Sequence, residues 1–380
     1  MEGRRGRAIN GDRTYLARAY ELAARATADA APNPPVGAVV VRAGATQGEG
    51  YHHRRGEAHA EIEALRAARA GGADVRGATM YVSLEPCDHV GSTGPCTQAL
   101  VDAGVARVVI GTLDPNPVAA GGAARLRAAG ITVDVADDAA ARALIERFAY
   151  GTVGSLPFVT LKMAMSLDGA IAPRPGGNFA VSGPAARERV RDLRFDYDAV
   201  MVGAGTIRID DAQLTVRPHR TRRKPYVRVV VCESDAVPAR SRVFVAPPDA
   251  PRGAYAPTIV LAPAGLRERF AMLEPIADVL YVGEPDAATL DLRAAMRALR
   301  QERGIGAVLC EGGPTLAGRL LAQHLVARIV WFIAPRFLQT PQAVPVLAGA
   351  DLTRAFDGWR FDEVERVGND MLVSARVDHV

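Results

Sequence analysis

Glu61 stands two positions after His59, and about two dozen residues further on come Glu85-Pro86-Cys87 and then, beyond a glycine-rich stretch, Cys96. One imidazole and two thiolates form a donor set that suits zinc and leaves its fourth position open to water. The metal makes that water acidic enough to attack an amino-bearing ring carbon. Glu61 stands close enough to the first ligand to take a proton from the water and deliver it to a ring nitrogen and the departing ammonia, without touching the metal. The order H-x-E, then P-C and a second cysteine, is the pattern of zinc-dependent nucleobase deaminases, with the usual C-x-x-C spacing stretched by six residues. The alternative is a structural zinc knuckle, although such a site more often shows four Cys or His ligands and has no need of Glu61. Cys232 and Cys310 lie in apolar runs and are expected to be inert buried thiols. Four cysteines in 380 residues make no disulfide framework.

These residues need rigid elements to bring them together. Leu16, Ala19, Leu22, Ala23 and Ala26 recur at helical spacing until the turn-rich Pro32-Asn33-Pro34-Pro35. Residues 36–41, 79–83 and 107–111 then read as strands, separated by helices over 58–70 and 97–103. Helical patterns follow over 119–130 and 139–149, and residues 151–157 read as a joint. Beyond it a second alternation begins, with strands near 158–162, 199–203, 227–231, 258–261, 279–282, 307–309 and 329–333 and helices over 185–194, 290–302 and 316–323. At 380 residues the chain exceeds what one hydrophobic core holds, so two α/β domains are expected, residues 1–150 and 157–380.

Hydrophobic residues make up 49% and charged residues 23% of the chain, a globular balance that favours neither disorder nor a membrane protein. No run of apolar residues is long enough to span a bilayer, and the basic start lacks the apolar core of a signal peptide, so a cytoplasmic enzyme is expected. The net charge of +4 is spread along the chain and suits small anionic ligands. A nucleic-acid base deaminase is the third reading considered. Against it, aromatic residues total only 6% and no basic stripe interleaves with them.

The ordered motifs resemble the bifunctional riboflavin-biosynthesis deaminase–reductase family, RibD, from about Tyr15 to about Leu372. In the first half these are Pro32-Asn33-Pro34-Pro35-Val36-Gly37, Gly50-Tyr51-His52, Gly56-Glu57-Ala58-His59-Ala60-Glu61, Leu84-Glu85-Pro86-Cys87, Pro95-Cys96 and Asp114-Pro115-Asn116-Pro117. In the second they are Leu161-Lys162, Ser166-Leu167-Asp168-Gly169, Val202-Gly203-Ala204-Gly205-Thr206, Asp210-Asp211, Leu214-Thr215-Val216-Arg217, the run from Glu311 to Gly318, and Ala334-Pro335. The long gap between Cys87 and Cys96 also matches this family.

The resemblance implies a cytidine-deaminase-like α/β/α domain followed by a dihydrofolate-reductase-like α/β domain. It implies zinc and NADPH as cofactors, a pyrimidine ribosyl phosphate as substrate, and a homo-oligomer, dimer or tetramer. It places Asn33, His52 and Glu57 at the deaminase substrate, and Arg194, Arg217 and Glu311 at the reductase substrate. NADPH contacts fall on Ala164, Thr206, Asp210, Gly313, Pro314, Thr315, Leu316, Ala317, Gly318 and Arg319, with Lys162 and Asp210 nearest the hydride transfer. Residue types alone say less: the strand, glycine turn and helix around Glu311-Gly312-Gly313 can present N–H groups to phosphate, or be a tight turn without a ligand. Arg194 and Arg217 suit a sugar phosphate as bidentate donors, or are solvated surface arginines.

Several positions depart from the family pattern. Ser92 stands where relatives carry a basic residue, Val90 and Gly94 are atypical, and Val118-Ala119-Ala120-Gly121-Gly122 lacks an arginine. Ala180-Val181-Ser182-Gly183 replaces a W-I-T-S stretch, Asn178 replaces a serine, and Cys232-Glu233 replaces a D-S or D-T pair beside the cofactor. Glu233 would then be an uncompensated carboxylate near an anionic cofactor. These departures leave open a weakened reductase, or a second domain that no longer reduces, in a specialised pathway such as toxoflavin-type biosynthesis.

Overall fold

The computed structural model describes residues 10–25, 29–89, 94–177, 179–222, 224–338, 340–353 and 358–377. The chain divides into two compact units between Val153 and Gly154. The first contains α1 (Asn10–Ala23), β1 (Gly37–Arg42), β2 (Ala45–Tyr51), α2 (Ala60–Ala70), β3 (Thr79–Leu84), α3 (Cys96–Asp102), β4 (Arg107–Thr112), α4 (Gly122–Ala128), β5 (Thr132–Val135) and α5 (Ala139–Val153). Helix α5 thus continues through residues 151–153, which the glycine-containing run suggested were already part of the joint.

The sheet order is β2-β1-β3-β4-β5, with β1 antiparallel to both neighbours and β3, β4 and β5 parallel. Alternation along the strands builds two cores. Leu16, Ala19 and Leu22 of α1 pack on Val39, Val41, Tyr81 and Val109, while Ala38, Val40, Met80, Val82 and Ile110 face α2, α3 and α4. Close approach on each face depends on missing side chains. A Cβ on Gly37 would collide with the backbone of α1, and one on Gly48 or Gly50 with the backbone of α2. Strand β2 was not legible in the sequence because Ala45–Tyr51 has few β-branched or apolar residues; its two glycines are there to receive a helix.

The second unit contains β6 (Phe158–Ser166), β7 (Ala170–Ala172), α6 (Pro184–Asp196), β8 (Ala199–Gly203), α7 (Ala204–Asp210), β9 (Val227–Val231), β10 (Ile259–Pro263), α8 (Arg267–Phe270), β11 (Asp278–Val282), α9 (Leu292–Arg303), β12 (Ala307–Cys310), α10 (Pro314–Ala322), β13 (Arg328–Ala334), β14 (Val344–Pro345), β15 (Trp359–Val367) and β16 (Asp370–Val377). Nine strands form one sheet in the order β11-β10-β9-β8-β12-β6-β13-β16-β15. It is parallel from β11 to β13 and ends in an antiparallel pair, β16 and β15. The parallel strands are apolar runs buried on both faces, as Val229, Val230 and Val231 of β9 show. Strand β15 is exposed and charged, which suits a sheet edge and hides it from a hydrophobicity reading. Asp198 fastens β8 to β12 by accepting the N–H groups of Gly306 and Ala307 and an N–H of Lys224.

Candidate active sites

In the first unit, two helix starts meet one strand end. His59 is the residue before the first turn of α2, Cys96 opens α3, and Cys87 lies just beyond β3. The loop holding Cys87 is fixed by Glu85, whose carboxylate accepts the N–H groups of Asp114 at 3.1 Å and Ala123 at 2.8 Å. On α4 the missing side chain of Gly122 lets that helix press on the carbonyl of Pro86. Cys87 Sγ lies 3.5 Å and Cys96 Sγ 3.3 Å from His59 Nδ1, and the N–H of Cys96 donates to Cys87 Sγ at 3.5 Å.

The donor atoms of all three residues lie within 4.8 Å of one another. These separations match the edges of a tetrahedron whose Zn–N and Zn–S bonds are about 2.0 and 2.3 Å. The chemistry of the donors also fits. Hydrogen bonds from Cys96, from His59 and from the Cys96 N–H pull the Cys87 thiol down, which favours its thiolate, while Cys87 raises its neighbour Cys96. The residues therefore suit a zinc ion with three protein ligands. Glu61 follows His59 on the first turn of α2, is only 3% exposed, and burial pushes its carboxyl up to about 7. A carboxyl poised near neutrality beside an open metal position can both take and give a proton.

Next to the ligands, His52 is 2% exposed and its ring meets that of His59 edge-on at 5.4 Å. Its Nδ1 donates to the carbonyl of Ala58 at 3.1 Å, which leaves Nε2 to accept from Asn33 Nδ2 at 3.1 Å. Both ring nitrogens are thus used within the protein, and the Asn33 amide is oriented with Oδ1 uncommitted to His52. Glu57 is paired with Arg54. Val90 and Ser92 lie outside the described residues.

In the second unit a cavity of about 1120 Å³ opens at the C-terminal ends of the parallel strands. Ligands bind at such strand ends in parallel α/β sheets. Its lining includes Lys162, Ala164, Arg194, Thr206, Asp210, Arg217 and Glu311, and Gly313 to Leu316 at the start of α10. Arg194 and Glu311 face each other as a fork, with Nε to Oε1 at 2.5 Å and Nη2 to Oε2 at 2.8 Å. Burial opposes both charges, but each group's partner outweighs it, so Arg194 is raised and Glu311 lowered. The same burial lowers Lys162. Burial raises Asp210. The N–H of Gly313 donates to Thr206 Oγ1 at 3.2 Å, tying the start of α10 to α7.

Three residues expected at the cofactor do not line this cavity. Ala317 is fully buried in the core, Gly318 packs on the backbone of Ala348, and Arg319 pairs with Glu233 and donates to the carbonyl of Leu290. This also corrects the expectation for Glu233: its carboxylate is compensated, by Arg319. Ala180 does line the cavity, but so does Phe179, so an aromatic residue stands one position earlier; Asn178 lies outside the described residues. Arg187 and Arg191 were missed, although Arg187, Arg191 and Arg194 recur at i, i+4 and i+7 on α6, a helical-face signal present in the sequence. Thr215 was also missed. Its hydroxyl is buried in the lining without a hydrogen-bond partner, while its carbonyl accepts from Arg194.

Three donors that suit zinc beside a buried glutamate, joined in one chain to a parallel-sheet unit with a basic cavity at its strand ends, define a deaminase–reductase type of enzyme. Residues 9–112 match the cytidine and deoxycytidylate deaminase zinc-binding region, and residues 157–373 match the RibD C-terminal domain. The riboflavin biosynthesis protein RibD of Aquifex aeolicus is 35% identical over 95% of this chain and 97% of its own length. That of Escherichia coli is 36% identical over 95% of this chain and 98% of its own. The crystal structure of a diaminohydroxyphosphoribosylaminopyrimidine deaminase/5-amino-6-(5-phosphoribosylamino)uracil reductase from Thermotoga maritima superimposes with a TM-score of 0.83 at 33% identity, covering 97% of this chain and 99% of that one. The chain belongs to the RibD family of riboflavin biosynthesis proteins.

Proposed function

We propose that residues 1–150 deaminate 2,5-diamino-6-ribosylamino-4(3H)-pyrimidinone 5′-phosphate at its 2-amino group, and that residues 157–380 then reduce the ribosyl chain to ribityl with NADPH, in riboflavin biosynthesis. The observation that carries this reading is the meeting of His59, Cys87 and Cys96 beside the enclosed carboxyl of Glu61. Zinc held by these three ligands would supply an acidified water. Glu61 would carry the first proton of the attacking water to the ring nitrogen and the second to the departing amino group, which leaves as ammonia. Asn33, oriented through His52, presents its Oδ1 to a donor on the substrate. The same reading assigns Glu57, which pairs with Arg54, to the substrate.

In the second unit, NADPH would supply the hydride. Lys162 and Asp210 act nearest the reacting carbon, the Arg194–Glu311 fork and Arg217 hold the sugar phosphate, and Ala164, Thr206 and the residues from Gly313 to Leu316 seat the cofactor. The reading further takes the protein to act on small molecules as a cytoplasmic homo-oligomer; no described helix is long and apolar enough to cross a membrane. The test is to supply the diaminopyrimidinone ribosyl phosphate with and without NADPH, following ammonia release and NADPH loss separately. Ammonia is expected in both arms and NADPH loss only after it. Ammonia without any NADPH loss would point to a second unit that no longer reduces.

A further inference from the structure

Strand order decides which part of a long ligand lies where in the cavity of the second unit. Lys162 comes from β6 and Glu311 and Gly313 from the end of β12, whereas Glu233, Ser234 and Asp235 follow β9, on the far side of β8. A dinucleotide with its nicotinamide over Lys162 and Glu311, and its pyrophosphate at the start of α10, therefore reaches β9 with its adenosine. What it meets there is a carboxylate. Glu233 lines the cavity with its side chain 47% exposed and pairs with Arg319, which is not among the lining residues. Arg319 spends a further N–H on the carbonyl of Leu290 at 3.1 Å. Asp235 adds a second carboxylate, with Arg269 at 3.9 Å. Arg208 also lines this end, with a guanidinium N–H on the Asp235 carbonyl at 3.4 Å.

We propose that Glu233, held by Arg319, sets the cofactor choice of this chain, so that dinucleotides without a 2′-phosphate bind on a par with those that carry one. A carboxylate accepts hydrogen bonds from a ribose 2′-hydroxyl and, by holding Arg319, leaves a 2′-phosphate facing a like charge with no free cation from that residue. Arg319, which lies outside the lining, has its charge committed to Glu233. The inference rests on reading this cavity as the reductase's cofactor site.

The test is equilibrium binding to the full-length, zinc-loaded protein, without turnover. NADPH and NADH are titrated by their fluorescence, and adenosine 2′,5′-bisphosphate and 5′-AMP by calorimetry, against the unmodified protein, Glu233→Gln and Glu233→Ser. The unmodified protein is expected to hold NADPH and NADH within about tenfold of each other. Each variant should shift the ratio toward NADPH by about ten- to a hundredfold at low salt, as removal of a like charge a few ångströms away predicts. The shift should shrink at high salt, where exposed charges are screened. Binding of 5′-AMP should not change. A preference for NADPH above about a hundredfold in the unmodified protein, unmoved by Glu233→Gln and abolished by Arg208→Ala, overturns the proposal in favour of Arg208 as the phosphate reader. Failure of every dinucleotide to bind would instead overturn the cofactor reading of the cavity, and this inference with it.

Discussion

In the proposed deaminase site, His59, Cys87 and Cys96 hold the metal and Glu61 moves protons. Because Glu61 is no ligand, Glu61→Gln should retain about one zinc per chain by metal analysis while ammonia release falls by about 10²–10⁴-fold, the usual size of a general acid–base contribution. Cys87→Ser should lose both metal and turnover; an active, metal-free Cys87→Ser protein would contradict the ligand set. In the second site, Arg194 and Glu311 are a fork buried in the cavity wall. Removing one partner leaves the other charge stranded, so Arg194→Met should destabilise the protein by about 3–5 kcal/mol in denaturant unfolding. The sign of the pH effect follows from the direction of the shift. Glu311 sits below its ordinary value in the folded protein, so its contribution is present above the usual carboxylate range and is lost as pH falls through its lowered value. Melting temperature measured from neutral to acidic pH should fall more steeply for the unmodified protein than for Glu311→Gln.

At the scale of elements, backbone contacts that no functional residue makes hold the metal site in place. Helix α2 brings His59 and Glu61 to the metal only because Gly48 and Gly50 of β2 let its backbone lie on the strand. Gly50→Ala should therefore cost about 1–3 kcal/mol by overpacking, and weaken zinc retention against a chelator. Glu85→Gln should act on Cys87 in the same way, by loosening two backbone hydrogen bonds. That His59, Cys87 and Cys96 come together was legible in the sequence because donor types and spacing are local. The long parallel strands were legible because burial on both faces leaves unbroken apolar runs such as Val227–Val231. Strand β2 and the β15–β16 pair were not, because a strand that accepts a helix is rich in glycine and an edge strand is rich in charge. The compensation of Glu233 by Arg319 was equally hidden: the two lie on different elements, and no local pattern couples them.

In the whole molecule two chemistries follow in a fixed order, deamination in the first unit supplying the substrate of the second. Each unit has its own core, and among the described residues the metal donors belong to the first unit and the cavity lining to the second. A change at Glu61 should therefore leave the second chemistry intact. The departures at Ala180 and Glu233 do not remove the groups nearest that chemistry, since Lys162, Asp210, Arg217 and the Arg194–Glu311 fork all line the cavity. The most direct measurement is NADPH oxidation by Glu61→Gln, given in one arm the diaminopyrimidinone ribosyl phosphate and in the other its separately prepared deaminated product. The account predicts that oxidation is lost with the diamine and retained at the unmodified protein's rate with the deaminated compound. Undiminished oxidation with the diamine, or its loss with both substrates, would contradict it.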